Sequence, residues 1–362
     1  MHQSSHPLLP IISSIDLFLF VLTKAGVEAA NYPFATIDPN VGVVEVPDER
    51  LNKLTELVKP KKTVPTTFEF TDIAGIVKGA SKGEGLGNKF LANIRQVDAI
   101  CHVVRCFEDD NITHVSGKVD PLDDVETINL ELIFADLESI EKRYTRISKI
   151  ARTKDKDAVR ELEILEKIKT TLEEGKSART IEFTPEEEPL VKSLFLLTTK
   201  PVLYVANISE EDVIAGGDNE MVKIVRDFAA TEGAEVVTVC ARIEEEVAEL
   251  DDEEKAEFLS ELGIEQSGLD QLIQKAYTLL GLGTYFTAGE KEVRAWTFRL
   301  GMKAPQTAGI IHSDFERGFI RAETVSYADL LAYGSMQAAK EAGKVRLEGK
   351  DYVVQDGDVM EF

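Results

Sequence analysis

The residues from Asp72 to Gly75, in the order Asp-Ile-Ala-Gly, have types and a spacing that suit the binding of Mg²⁺ and phosphate. An aspartate that ends a β-strand can hold Mg²⁺ through water, and a glycine three residues later lets its backbone N–H approach a phosphate. Four more glycines follow between Gly79 and Gly87, and glycine adopts backbone conformations closed to other residues. The stretch therefore indicates a nucleotide-dependent switch, with a glycine-rich surface loop as the alternative interpretation.

Thr36 is a second candidate ligand for Mg²⁺. It lies in a loop, Asn31–Asn40, that contains two prolines and precedes a predicted strand. A threonine hydroxyl or carbonyl in such a loop can meet Mg²⁺ and the γ-phosphate of a nucleotide. Alone, Thr36 suits an ordinary turn, but together with Asp72 and Gly75 it becomes a candidate metal ligand.

Apolar runs along the chain predict the strands that must position these residues. The predicted strands are Val41–Val46, Thr66–Phe70, Ala99–Phe107, Pro201–Ala206 and Val236–Cys240. The first two are expected to be neighbours that flank a turn at Asp48. Because helices alternate with the strands, we expect a parallel, doubly wound sheet, whose ligands bind at the carboxyl ends of the strands. Asn207, Ile208, Glu210 and Ala241 directly follow two of these strands and are candidate nucleotide-binding residues.

Apolar residues at helical spacing predict two helices, Val125–Lys149 and Asp157–Leu172, that pair as an antiparallel hairpin. A third helix is expected at Pro185–Thr199. The tip of the hairpin is basic, with Lys142, Arg143, Arg146, Lys149, Arg152, Lys154 and Lys156 against few acids. Such charge suits either a solvated helix surface or a contact with RNA phosphate.

From Gly281 the sequence changes to alternating strands and includes a turn at Asp356–Asp358. This pattern predicts a small α+β domain of the ubiquitin-like type. The expected domains are therefore a nucleotide-binding domain made of residues 1–128 and 200–280, an inserted helical hairpin at 129–199, and a C-terminal domain at 281–362.

The composition limits the partners of the protein. The formal net charge of -24 disfavours broad electrostatic binding to nucleic acid, and no DNA partner is expected. Three cysteines without metal-ligand spacing favour a reducing, cytoplasmic location. The apolar run between Leu8 and Leu22 contains Asp16 and follows no Lys or Arg, so a buried strand and helix are favoured over an export signal or a membrane span.

Several motifs resemble those of the YchF family, the Obg-related P-loop ATPases associated with the ribosome. The resemblance rests on NYPFATIDPN, FTDIAGIVKGASKGEGLGNKFLANIRQVDAI, NISE, TYFTAG, EVRAWT and RLEGKDYVVQDGDVM, and it covers Thr23 to Phe362. It implies a P-loop NTPase-type α/β domain, interrupted by a helical hairpin and followed by a TGS (ubiquitin-like) domain. It also implies slow, Mg²⁺-dependent ATP hydrolysis and binding to the large ribosomal subunit or the whole ribosome. The hairpin tip and the TGS domain are the expected ribosome contacts.

The NISE sequence favours ATP over GTP. Guanine-specific relatives use N-K-x-D, in which the Lys stem covers the base and the Asp accepts from the guanine N1 and N2 donors. Here Ile208 replaces the Lys and Glu210 replaces the Asp, so both parts of the guanine clamp are altered. The family pattern also implies that the main chain of Ile208 contacts adenine. A GTPase remains the alternative.

The phosphate-binding loop G-x-x-x-x-G-K-[ST] is missing from the sequence. The window in which the family carries it, Leu8–Leu17, has neither glycine nor lysine, and Asp16 stands where the family has a Mg²⁺-binding serine. Gly175-Lys176-Ser177 follows a predicted helix and suits a helix C-terminus. Two accounts stay open: a frameshift or wrongly assigned start in an otherwise intact ATPase, or a degenerate member that binds ribosomes and handles nucleotide poorly.

Hydrolysis needs a group that positions the attacking water. Ile76 stands where Ras-like enzymes place a glutamine, and it cannot do this. His114, in a polar loop after a predicted strand, is the candidate for this catalytic role. A nucleotide-independent regulator that binds ribosomes is the other function class that the sequence leaves open.

Overall fold

The computed structural model describes residues 40–72, 86–109 and 118–362. The chain divides into two compact units. One contains the described residues of Phe70–Leu272, and the other combines Val43–Glu69 with Ile273–Phe362. The segment Val43–Glu69 lies within the range 1–128 of the predicted nucleotide-binding domain. No helix in the described part of the chain is long and apolar enough to cross a membrane.

The first described elements are β1 (Asn40–Glu45), α1 (Glu49–Val58), β2 (Thr63–Val64) and β3 (Thr67–Asp72). β1 and β3 pair in a two-stranded sheet, as the sequence predicted. The predicted turn at Asp48 is wrong, because this residue instead begins a helix. Its carboxylate accepts from the backbone N–H of Arg50 at 2.9 Å and so caps α1.

Among the described residues of the first unit, three parallel strands form a sheet in the order β4-β5-β6. They are β4 (Ile100–Arg105), β5 (Val202–Asn207) and β6 (Glu235–Val239), and their parallel pairing confirms the prediction. The helices are α2 (Leu86–Gln96), α3 (Pro121–Ala151), α4 (Lys156–Glu173), α5 (Glu188–Ser193), α6 (Glu210–Ile214), α7 (Glu220–Thr231), α8 (Ala241–Ala248), α9 (Asp252–Glu261) and α10 (Gly268–Leu279). The range of α10 contains the division between the two units.

The hairpin of α3 and α4 is present, and both helices are longer than predicted. Asp120 caps α3, with Pro121 in its first turn, which moves the start ahead of Val125. Asp155 caps α4 by accepting from the Ala158 N–H at 2.8 Å. An apolar seam joins the two helices, made of Ile133, Ile140, Ile147, Ala158, Ile164, Leu165, Ile168 and Leu172.

The predicted helix at Pro185–Thr199 is wrong in length, because only Glu188–Ser193 is helical within it. After α5, Phe195 adopts a left-handed conformation with φ 50°. The buried carboxylate of Asp136 then accepts from the N–H groups of Leu197 and Thr198 at 2.9 and 2.7 Å. These amides therefore bond to a side chain of α3 and not to a helix of their own.

A buried ion pair joins the chain after the hairpin to the end of α7. Arg179 Nη1 lies 3.0 Å from Glu232 Oε2, with side chains only 8% and 6% exposed. The same carboxylate accepts from Ser177 Oγ at 2.7 Å and from the Tyr204 hydroxyl at 2.9 Å. Asn129 of α3 in turn donates to the Tyr204 oxygen at 3.2 Å. The network thus connects the hairpin to strand β5.

The second unit contains a six-stranded sheet in the order β10-β9-β11-β7-β8-β2. Its remaining elements are β7 (Leu282–Ala288), β8 (Val293–Arg299), α11 (Ala304–Ile311), α12 (Ser313–Arg317), β9 (Ala322–Ser326), α13 (Tyr327–Tyr333), α14 (Met336–Glu341), β10 (Arg346–Glu348) and β11 (Asp358–Glu361). The sequence predicted alternating strands within an α+β domain, and the strand prediction is wrong where α11 and α12 lie. Lys303 and Gln306 form a capping box there, and Ala304 and Ala308 are buried on one helical face.

The segment Val43–Glu69 completes this second unit. β2 pairs in parallel with the start of β8, and Leu51 and Leu54 of α1 pack in one apolar cluster with Phe286 and Val293. The Arg50 guanidinium bridges two carboxylates: its Nη2 lies 2.8 Å from Asp48, and its Nη1 lies 2.8 Å from Asp356 in the turn before β11. Packing and charge together hold this segment against the C-terminal sheet.

The substitution Glu232→Gln should lower the free energy of unfolding by about 3–5 kcal/mol, because it leaves the buried Arg179 cation without its counterion. Thermal or urea unfolding followed by circular dichroism measures this change. Lys223→Gln is the matched control, since it breaks an exposed pair with Glu220 and should cost less than about 1 kcal/mol. Equal effects from the two substitutions would contradict the structural role of the buried pair.

Candidate nucleotide-base site

Asn207, the last residue of β5, joins the ends of three neighbouring strands. It is almost fully buried. Its backbone carbonyl accepts from the N–H of Cys106, just after β4, at 2.8 Å. Its side-chain Oδ1 accepts from the N–H of Ala241, just after β6, at 3.2 Å. The structure therefore brings Asn207 and Ala241 together, at the carboxyl edge of the sheet where ligands of such sheets bind.

Ile208 follows Asn207 and is also buried. Its N–H donates to the Val239 carbonyl at 2.9 Å, and its side chain packs in the apolar cluster that includes Val222 and Cys240. Among the residues that the structure describes, no donor reaches its carbonyl oxygen. Within the described residues its N–H is therefore already bonded and its carbonyl oxygen is not, and its side chain belongs to the core.

Hydrogen bonds between side chains and backbone hold the rest of this loop in place. Ser209 caps α6 by accepting from the Asp212 N–H at 3.1 Å. The Asp212 carboxylate accepts from Ser209 Oγ at 2.8 Å and from Asn219 Nδ2 at 2.9 Å, and the same Nδ2 group donates to the Cys106 carbonyl at 2.8 Å. Sequence reasoning missed Asp212 and Asn219. The capping pattern Ser-x-x-Asp at 209–212 was the signal for the first of them.

Glu210 forms an ion pair with Arg242, which sequence reasoning also missed. Arg242 Nε lies 3.4 Å from Glu210 Oε1, with side chains 71% and 43% exposed. Glu210 begins α6, and Arg242 lies in the first turn of α8. The pair spans the two loops that Asn207 already joins, and it directs the Glu210 carboxylate toward a cation.

The two thiols beside this edge do not supply a nucleophile. Burial raises the pKa of Cys106 to about 12, with Asp124 and Asp212 adding to the effect. Burial also raises the pKa of Cys240, although backbone hydrogen bonds from Ile243 and Arg242 oppose the rise. Both side chains therefore stay protonated near neutral pH and act as small apolar groups.

The remaining predicted site residues lie at the limits of the described ranges or outside them. Thr36, Gly75 and His114 lie outside the described residues, as does the segment Leu8–Leu17. Asp72 is the last residue of β3, and its side chain is not among the described parts of the structure. Within the described ranges, no group of three or more His, Cys, Asp or Glu side chains could hold a metal ion.

Comparisons with known proteins identify the relatives of this chain. A family model named YchF-GTPase_C, described as a protein of unknown function (DUF933), matches residues 282–362. A second, described as a 50S ribosome-binding GTPase, matches residues 17–152. A Bacillus subtilis protein named ribosome-binding ATPase YchF is 72% identical over 354 residues, which is 98% of this chain and 96% of that protein. The chain belongs to the YchF family.

More distant YchF proteins match over the same length. The Escherichia coli O157:H7 ribosome-binding ATPase YchF is 56% identical over 98% of this chain and 96% of its own. The solved structure of the Schizosaccharomyces pombe YchF GTPase is 40% identical, with a TM-score of 0.84, and it covers 96% of this chain and 94% of its own. These matches confirm the family and the α/β fold with a C-terminal domain that the sequence predicted.

The substitution Asn207→Ala should weaken the connection between the ends of β5 and β6 in this YchF protein. The Ala241 N–H would lose its acceptor, and an unsatisfied buried donor costs about 1–3 kcal/mol. Amide hydrogen exchange at Ala241 should therefore become roughly tenfold faster or more. Asn52→Ala, on the exposed side of α1, is the control and should leave that exchange rate unchanged. Unchanged exchange in Asn207→Ala would contradict the assigned hydrogen bond.

Proposed function

We propose that this YchF protein is a cytoplasmic, ribosome-associated, ATP-binding protein. In this account it hydrolyses ATP slowly with Mg²⁺, and the bound nucleotide acts as a conformational switch. Its bacterial relatives, named ribosome-binding ATPases, support both ATP and the ribosome. The proposed partner is the large subunit or the whole ribosome, contacted through the hairpin tip and the C-terminal unit.

The arrangement at Ile208 carries the preference for ATP. Its carbonyl oxygen can accept a hydrogen bond from the 6-amino group of adenine, whereas guanine has an oxygen at that position that would face it with like polarity. The Ile208 side chain is buried in the core and cannot cover a base as the Lys of N-K-x-D does. Glu210 is paired with Arg242, which further weakens it as an acceptor for guanine. A base site of this kind rejects the wrong purine because polar groups would be left unpaired.

The phosphate end of the site is proposed from the sequence. Thr36 and Asp72 would hold Mg²⁺, which would supply charge stabilisation at the phosphates, and the Gly75 N–H would bind the terminal phosphate. His114 would position the attacking water. Because residues 1–22 contain neither glycine nor lysine, we propose that nucleotide handling is impaired in the chain as it stands.

The missing phosphate-binding loop favours a second candidate function, a ribosome-binding regulator that works without nucleotide. Co-sedimentation with ribosomes in the presence and absence of ATP separates the two functions. Retention that does not depend on ATP, in a chain that binds no ATP, would support the regulator. Retention that changes with ATP would support the switch.

Titration calorimetry with ATP and GTP in the presence of Mg²⁺ tests the proposed function. We would compare the chain as it stands with a variant that carries G-x-x-x-x-G-K-S before Leu17. The variant should bind ATP on the order of 10²-fold more tightly or better, since each restored charge-assisted hydrogen bond contributes about 1.5–3 kcal/mol. ATP should also bind at least about tenfold more tightly than GTP.

Two outcomes would contradict this account. Equal binding of ATP by both chains would show that the phosphate-binding loop is dispensable, and tighter binding of GTP would make the protein a GTPase. The restored variant also tests His114, because His114→Ala should slow its ATP hydrolysis about 10²-fold without changing ATP affinity. An unchanged rate would remove His114 from the catalytic role.

A further inference from the structure

The tip of the α3–α4 hairpin concentrates positive charge in an acidic protein. Residues 146–157 carry five cations and two aspartates, while the whole chain has a net charge of -24. We call the five cations the tip cations: Arg146, Lys149, Arg152, Lys154 and Lys156. All five are exposed, and within the described residues none of them lies within ion-pair distance of a carboxylate. The tip is thus a patch of net positive charge at the turn between α3 and α4.

Three exposed lysines elsewhere on the described helices differ from the tip cations. Lys142 pairs with Glu138, Lys192 with Glu188 and Lys223 with Glu220, each acid lying about one helical turn away. Such spacing is the ordinary way to stabilise a solvated helix surface. Arg146 and Lys149, in contrast, are three residues apart on α3, where like charges repel. The pattern of the tip is therefore not that of a solvated helix surface.

Two of the tip cations lie at backbone positions where a lysine lowers the stability of the hairpin. Lys154 adopts a left-handed conformation with φ 62°, which suits glycine or asparagine better than lysine. Lys156 is the first residue of α4, where the helix dipole disfavours positive charge. The negative end of the α3 dipole stabilises the charges of Lys149 and Arg152. Lys154 and Lys156 receive no comparable stabilisation. The stability of the hairpin therefore does not explain why these two positions carry lysine.

We propose that the tip cations bind the phosphate backbone of RNA, an inference that rests on the ribosome association proposed above. A row of exposed, unpaired cations fits a polyanion with regularly spaced charges, and such contacts need no base-specific partner. The acidic remainder of the chain repels the same polyanion, so the charge distribution favours approach by the tip. The hairpin, packed along its apolar seam, holds the tip cations at the turn that joins α3 and α4.

The test measures ribosome affinity of the full chain at several salt concentrations by co-sedimentation with purified ribosomes. The double variant K154Q/K156Q should bind at least about tenfold more weakly at low salt. Its plot of log affinity against log salt should be shallower by about 1.5, because each lost phosphate contact reduces the slope by about 0.7–0.9. The matched control K192Q/K223Q removes two exposed, paired lysines and should change affinity less than about twofold.

A single substitution separates binding from folding. Lys154→Gly should raise the melting temperature, because glycine adopts the left-handed conformation without strain. The same substitution should weaken ribosome binding, whereas Lys154→Arg should preserve it. Opposite changes in stability and affinity would exclude damage to the fold as the cause of weaker binding.

A photo-crosslinking residue at position 154 identifies the partner, and crosslinks to ribosomal RNA are expected. Crosslinks to ribosomal protein alone would overturn the RNA assignment. Unchanged affinity and salt slope in K154Q/K156Q would overturn the tip as a contact while leaving ribosome binding intact. Failure of the unmodified chain to co-sediment with ribosomes would overturn both this inference and the proposed function.

Discussion

The hydrogen bonds of Asn207 are the constraint on which the candidate site depends. One buried residue fixes the strand ends on both sides of it, through its carbonyl to Cys106 and its side chain to Ala241. Because Ile208 comes next, the same bonds hold its backbone at the end of β5, and its side chain packs in the core. The preference for adenine in our proposal thus follows from backbone positions that the sheet determines, and not from a flexible side chain.

The second unit imposes a different constraint on the chain. The residues between Thr36 and Asp72, the two proposed Mg²⁺ ligands, include the segment Val43–Glu69 that completes the C-terminal sheet. Arg50 binds that segment to the turn at Asp356, and an aliphatic face of α1 packs beside it. A sequence-based division at Gly281 does not reveal this arrangement, because the pairing of β2 with β8 joins residues far apart in the chain.

Local patterns in the sequence predicted much of the fold. Continuous apolar runs gave the parallel strands, and helical spacing gave the hairpin, since both signals depend on neighbouring residues. The helix expected at Pro185–Thr199 is shorter because Asp136, distant in sequence, binds two of its amides. At the candidate site, the proximity of Asn207 and Ala241 was predictable from the ends of their strands. The ion pair of Glu210 with Arg242 was not, because it requires knowing that α6 and α8 begin side by side.

Saturation-transfer NMR with adenosine and guanosine tests most directly whether the loop after β5 recognises adenine. Neither nucleoside carries a phosphate, so the measurement does not depend on the missing phosphate-binding loop. We predict that saturation reaches the adenosine base more strongly than guanosine, and that Asn207→Ala abolishes this difference. Equal or stronger transfer to guanosine, or an adenosine signal that Asn207→Ala leaves unchanged, would contradict the account.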